Sequence, residues 1–252
     1  MAKIIKFRKL ITFLCILLLI ISNNYIQVLA IYSNNESKTV YLTFDDGPSS
    51  NNTNKIIDIL NKNNIRGTFF VVGDSTNIYP HLIKKLDENN MCIMPHCNFH
   101  DYKGIYKCEE NYFKDLNTCK ENINKIIGNR EMNFIRIPGG SDNKICNEEV
   151  LNNIKTKILD NGDNYIDWTI NIADIERHSS SREFVKSIIM DEGGLYNIEV
   201  VLMKDVSGKE SNIESLQEII DFYNKRGYKF KTLNEIEEWE KEYLKEIKVL
   251  NK

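Results

Sequence analysis

From Val40 onward the chain alternates short apolar runs with stretches of helical periodicity. Val40–Phe44 reads as a strand, and Gly67–Val72, Cys92–Met94, Phe134–Ile137, Tyr165–Trp168 and Glu199–Met203 read the same way. Between them, apolar residues recur at helical spacing. Asn54–Asn63 places Ile56, Ile57 and Leu60 on one face, and Pro80–Asn90 does so with Leu82, Ile83 and Leu86. Tyr112–Ile127 carries Phe113, Leu116, Ile123 and Ile127, and Ile213–Lys225 and Leu233–Lys248 close the chain as helices. Strands that alternate with helices need crossover connections, and these make a parallel sheet. With about seven such units, the pattern predicts an α/β fold, a single-domain (β/α) barrel with outer helices. In such barrels the chemistry sits at the C-terminal ends of the strands.

The first thirty residues break the pattern. Lys3, Lys6, Arg8 and Lys9 precede an almost wholly apolar run, Leu10–Ile21, and Val28-Leu29-Ala30 then offers small or short residues. This is the layout of a secretory signal peptide over residues 1–30. An uncleaved membrane anchor is the alternative, but the run is short against the ~20 residues of a spanning helix. Residues 31–38 are a polar lead-in, and 39–252 form the domain proper. The expected product is secreted or wall-associated, has no stable membrane insertion after cleavage, and is monomeric.

The chain holds 33 basic and 36 acidic residues, and loss of the four leader cations leaves 29 against 36. That surplus of acid argues against nucleic acid as a partner, because phosphate binding needs a basic face. After loss of Cys15, five cysteines remain: Cys92, Cys97, Cys108, Cys119 and Cys146. An odd number in no CxxC spacing reads as small buried apolar residues, with a Cys108–Cys119 disulfide as the minor alternative.

Candidate chemistry gathers at the strand ends. Asp45 and Asp46 follow the first strand directly, within Thr43-Phe44-Asp45-Asp46-Gly47-Pro48. Two adjacent carboxylates repel. A metal bound by one, with the other left as a base, would offset that repulsion, whereas a solvated acidic turn would carry the same residues. His96 and His100 stand four apart after the third strand, a spacing that lets two imidazoles meet on one ion. With Asp46 they make a two-histidine, one-carboxylate set with open positions, suited to zinc and to other divalent metals. Arg136 ends a strand ahead of Pro138-Gly139-Gly140. Its guanidinium can hold a carboxylate, and the glycines let backbone N–H groups approach a ligand.

In this order the segments resemble the polysaccharide deacetylase family, also called the NodB-homology domain or carbohydrate esterase family 4, and peptidoglycan N-acetylglucosamine deacetylases in particular. The resemblance runs from about Lys38 to Leu233. It is carried by TFDDGPS, by GTFFVVG, by HCNFH with Cys97 in the usual hydroxyl position, and by RIPGGSDN. It implies a distorted (β/α) barrel. It implies Asp45 as general base, zinc (or another divalent metal such as Co2+) on Asp46, His96 and His100, and Arg136 orienting Asp45. The Gly139 amide would face the oxyanion, and Trp168 and Leu202 would line the acetyl pocket. Asp167 normally tunes a histidine on the last strand.

That histidine is where the chain departs from the family. The usual Leu-x-His is here Leu202-Met203-Lys204. A lysine can donate a proton, and burial and a nearby metal would lower its pKa toward use, while Asp167 beside it would raise it. His178, in the loop after Trp168, is a remote substitute. The expected activity is metal-dependent removal of N-acetyl groups from a cell-wall glycan, either peptidoglycan or a chitin-like polymer. A catalytically silent glycan-binding homologue and an O-acetyl esterase are the alternatives that Lys204 raises.

Overall fold

The structure is a computed structural model that describes residues 37–172, 182–208 and 213–252. The leader read at 1–30, nearly all of the polar lead-in and His178 lie outside the described residues. Lys38–Lys252 forms one compact unit.

Eight strands are described: β1 (Thr39–Asp45), β2 (Thr68–Val72), β3 (Cys92–Cys97), β4 (Phe134–Ile135), β5 (Asn164–Tyr165), β6 (Ile170–Asn171), β7 (Ile198–Lys204) and β8 (Lys229–Lys231). The helices are α1 (Thr53–Lys62), α2 (Gly73–Ile78), α3 (Pro80–Glu88), α4 (Tyr102–Ile105), α5 (Glu109–Ile127), α6 (Glu148–Asp160), α7 (Arg182–Glu192), α8 (Leu216–Lys225) and α9 (Glu238–Glu246). All strand pairs are parallel. Six strands make one sheet in the order β3-β2-β1-β7-β6, with β8 beside β1, while β4 and β5 pair separately. The α/β class and the parallel sheet agree with the sequence. Among the described residues, the ladder is interrupted between β3 and β4 and between β5 and β6, so the strands do not close into a continuous barrel.

β1 is the axis of this arrangement. It pairs with β7 along its whole length. On its other edge it pairs with β8 over Thr39–Tyr41 and with β2 over Thr43–Asp45. All seven of its residues are buried, as expected of a parallel strand covered on both faces. The period of two then divides its side chains. Phe44 stacks on Phe69 at 4.8 Å and joins Ile56, Ile57 and Leu60 of α1 in the outer core, while Thr43 and Asp45 face the other way, onto Arg136.

Several elements differ from the sequence reading. β4 and β5 are shorter than expected, and β6 and β8 are additional. Helix α6 went unread because its buried residues, Leu151, Ile154 and Ile158, sit among Asn, Lys and Glu. Its start is nonetheless encoded, since the Asn147 side chain accepts from the N–H groups of Glu149 and Val150. The single helix read over 233–248 is a short 3-10 turn, Leu233–Glu235, followed by α9. Thr232 and Glu237 each form a capping box, so the chain restarts a helix after an extended Ile236.

Beyond α9 the chain returns to β5. The N–H of Asp167 donates to the Val249 carbonyl at 2.8 Å, Asn251 N–H to the Tyr165 carbonyl at 3.0 Å, and Ile166 and Leu250 form an antiparallel bridge. All five described cysteines are free, with Cys92, Cys97, Cys119 and Cys146 buried, as the apolar reading of them expects. No helix among the described residues is long and apolar enough to cross a membrane.

Phe44→Ala removes a fully buried ring from the central strand and leaves a cavity beside Phe69. It is expected to cost about 3–5 kcal/mol, read as a shift in the denaturant midpoint with the slope unchanged.

Candidate metal centre and catalytic face

The register of the central strands assembles the site. Asp45 on β1 is the Cα partner of Lys204 on β7, and Thr43 is the partner of Leu202. Paired residues of parallel strands point the same way, so these four side chains share one face. Asp45 is buried, and the fully buried Arg136 lies over it. The Arg136 Nη1 reaches Asp45 Oδ2 at 3.4 Å, a long contact, while Nη2 donates to Thr43 Oγ1 at 3.2 Å and Nε to the Ile166 carbonyl at 2.6 Å. Its guanidinium is also packed between the rings of Phe70 and Trp168, at 4.6 and 5.4 Å. Arg136 is thus held on all sides before any substrate arrives. Asp45 Oδ1 is buried and has no hydrogen-bond partner.

Asp46 turns off the strand in the left-handed region, with φ of 72°, a conformation that Asp tolerates better than most residues. The turn carries its carboxylate to the histidines. Oδ1 lies 3.2 Å from His96 Nε2 and 3.5 Å from His100 Nε2. His96 Nδ1 sits 2.7 Å from the Arg136 carbonyl. A carbonyl can only accept, so Nδ1 carries the proton and Nε2 presents a lone pair. Yet His96 Nε2 and Asp46 Oδ1 are buried without a hydrogen-bond partner, although they are close. They lie side by side, off the line a hydrogen bond needs, as two ligands of a shared cation do. Buried polar atoms left open in this way are rare in folded proteins. The residues present therefore fit a divalent metal on Asp46, His96 and His100.

Cys97 also lies near, its sulfur within 4.8 Å of ring nitrogens of His96 and His100. Asp46 Oδ1 is open and faces both rings, while burial pushes the Cys97 thiol well above its ordinary pKa. Burial alone would raise the Asp46 carboxyl. Its neighbours His96, then Lys204 and His100, outweigh burial and hold it far below the usual carboxylate range. His100, at the mouth, is lowered by burial and by the neighbouring His96 ring.

Lys204 departs from the sequence reading. Its Nζ lies 2.9 Å from Asp46 Oδ2. Burial does pull its pKa down, as expected, but the Asp45 and Asp46 carboxylates more than offset that and the net direction is up. Asp167 uses its carboxylate elsewhere. It accepts from the Ser141 N–H at 3.0 Å and the Ser141 hydroxyl at 2.7 Å, and Lys252 Nζ lies 2.9 Å away. The expectation that Asp167 supplies the main opposing pull on Lys204 is therefore corrected: Asp45 and Asp46 supply it, and Asp167 braces the turn after Arg136.

That turn carries Gly139 and Gly140, both left-handed, with φ of 78° and 87°. A Cβ at Gly140 would come within 2.9 Å of the Trp168 ring, and one at Gly139 within 3.7 Å of the Tyr102 hydroxyl. Trp168 is half-buried against the turn, and Leu202 is buried on the shared face of β7.

Four residues of this face were not singled out from sequence. Thr43 was findable, since it lies two positions before Asp45 on a strand. Ser141 and Lys252 carry no local signal, because only the fold brings them to Asp167. Asp205 follows Lys204 and is fully buried. Its carboxylate accepts from Ser49 Oγ at 2.8 Å and Thr53 Oγ1 at 2.6 Å, and its N–H donates to the Asp45 carbonyl at 2.8 Å. It fastens the loop after Asp46 to β7. A Cβ at Gly47 would stand 2.4 Å from its Oδ2, so only glycine fits there. Burial raises Asp205 to about 6, against the lowering effect of the two hydroxyls.

A half-buried carboxylate stands beside two imidazoles at the strand ends of a parallel α/β sheet, a donor set that fits a divalent metal. The chain belongs to the polysaccharide deacetylase family, whose model matches residues 32–157. It is 28% identical over 206 residues to the peptidoglycan-N-acetylmuramic acid deacetylase of Bacillus subtilis, covering 81% of this chain and 73% of that one. It is 26% identical to a peptidoglycan-N-acetylglucosamine deacetylase of Bacillus cereus, covering 81% and 72%. Among solved structures, the catalytic domain of a peptidoglycan N-acetylglucosamine deacetylase from Eubacterium rectale superposes with a TM-score of 0.72 at 30% identity, covering 79% of this chain and 90% of that one.

Because Asp205 titrates higher in the folded chain than its ordinary 3.8, the folded state binds the extra proton between about pH 4 and 6. Its contribution is therefore present at the acid end of that window and declines as pH rises through 6. Asp205→Asn should remove this slope, about 2 kcal/mol, in denaturation of the metal-free protein at pH 4.5 and 7.

Proposed function

We propose that the chain hydrolyses N-acetyl groups of a cell-wall polysaccharide, peptidoglycan or a chitin-like polymer of N-acetylglucosamine, with a divalent metal and the release of acetate. The observation that carries this is the pair of open, buried atoms, Asp46 Oδ1 and His96 Nε2, beside an Asp45 that faces Arg136. The family and the cell-wall substrates in the names of its relatives support the choice of glycan. They also favour a secreted or wall-associated protein.

Asp46, His96 and His100 would hold the metal, with zinc the first choice for a two-imidazole, one-carboxylate set and Co2+ an alternative. When bound, a metal there supplies Lewis-acid activation of water and of the acetyl oxygen. Asp45 takes the proton of the attacking water through its open Oδ1. Arg136 keeps Asp45 in place. The Gly139 N–H stabilises the developing oxyanion, its turn fixed by Ser141 and Asp167. Trp168 and Leu202 exclude water around the acetyl methyl. The leaving amine must gain a proton, because an amide anion is a very poor leaving group, and Lys204 is the ammonium nearest this chemistry on the central strands.

A second reading is favoured by one observation, the attachment of Lys204 to Asp46 at 2.9 Å. An acid engaged in that way donates poorly, which suits a silent glycan-binding homologue, or an esterase whose alcohol leaving group needs less help.

Acetate release from N-acetylated chitooligomers and peptidoglycan, by protein loaded with zinc, tests the proposal. Activity is expected to fall roughly 10²-fold or more in Asp45→Asn and to vanish on chelation. Wild-type release no greater than that of Asp45→Asn would favour the binding reading. Preferential release from O-acetylated xylan would favour the esterase. Lys204→His should raise the rate if poor proton donation limits it.

A further inference from the structure

The charges around Asp46 balance without a metal. Asp45 and Asp46 contribute two negative charges, and the two cations that reach them are Arg136, on Asp45 Oδ2 at 3.4 Å, and Lys204, on Asp46 Oδ2 at 2.9 Å. The Asp46 carboxylate is divided between two directions. Oδ2 goes to Lys204, and Oδ1 faces His96 and His100 at 3.2 and 3.5 Å. The ammonium therefore sits one carboxylate away from the place where a metal would bind, in a partly buried setting where charges are poorly screened.

We infer that Lys204 is a built-in counter-cation: it stabilises the metal-free site and weakens the grip of Asp46, His96 and His100 on a divalent metal. The inference rests on the reading that these three residues hold the metal. Two effects act together. A dication added to a site already near neutrality meets the repulsion of the ammonium, which a neutral residue at 204 would not exert. The lysine also draws electron density from the carboxylate through its other oxygen, making Oδ1 a poorer donor. The same ammonium relieves the repulsion between Asp45 and Asp46 when no metal is present. The site is accordingly assembled when empty and takes up metal reversibly, in answer to its supply.

The test separates charge from geometry. Lys204→Met and Lys204→Gln remove the ammonium, and Lys204→Arg keeps a cation. Affinity for Zn2+ is measured by competition with a chromophoric chelator, Co2+ uptake by its visible absorption, and thermal unfolding on the metal-free protein. Met and Gln are expected to bind metal roughly 10- to 100-fold more tightly, the scale on which outer partners of a metal site act, while the metal-free protein melts lower. Arg should stay close to wild type in both. Should a neutral variant fold only when zinc is added, that also supports the inference. A merely structural lysine predicts lower melting with unchanged or weaker metal binding, and that result overturns it. If neither wild type nor the neutral variants bind metal, the metal reading itself fails and the inference with it.

Discussion

Two adjacent carboxylates at the end of a buried strand are the constraint around which this fold is arranged. Asp45 and Asp46 follow six residues of β1 that have no access to water, so bulk solvent cannot fully screen their repulsion. Each is met by a different solution. Asp45 lies under Arg136, which is itself locked by Thr43, Ile166 and two aromatic rings. Asp46 leaves the strand through a left-handed turn and meets two imidazoles and a lysine. The rest of the catalytic face supports these two solutions. β7 supplies Lys204 in register, and Asp205 fastens the loop after Asp46. The turn after Arg136 is tied to Asp167.

The same constraint links stability to function. Two negative charges held close together where screening is poor are costly unless a cation offsets them. Here an internal cation is already in place. In the proposed deacetylase, an ammonium held by Asp46 would be a poor proton donor. Asp167, which would tune a histidine at position 204, is instead joined to Ser141 and to Lys252 from the far end of the chain. The exchange of a histidine for a lysine therefore coincides with a different set of partners on this face.

Much of this was legible in the residues themselves. The alternation of apolar runs and helical periods led to the parallel α/β fold because burial on both faces leaves a continuous apolar strand. Asp45, Asp46, His96, His100 and Arg136 could be named because each stands at or just beyond a strand end, where barrel chemistry gathers. What was missed follows a rule as well. Strands of two and three residues, β6 and β8, have no measurable period. The break before α9 depends on capping boxes at Thr232 and Glu237 rather than on hydrophobic spacing.

The sequence by itself determined which elements form, where the two carboxylates and two histidines lie along the chain, and the family to which they point, because strand period, helix period and local motifs all act over a few residues. Only the tertiary structure decided who neutralises whom. Register across β1 and β7 set Lys204 beside Asp45, a backbone turn delivered Asp46 to both imidazoles, and the return of the last residues onto β5 gave Asp167 its lysine. Electrostatic pairing depends on distances in space, and Asp46 and Lys204, 158 positions apart, become neighbours only when the parallel sheet forms.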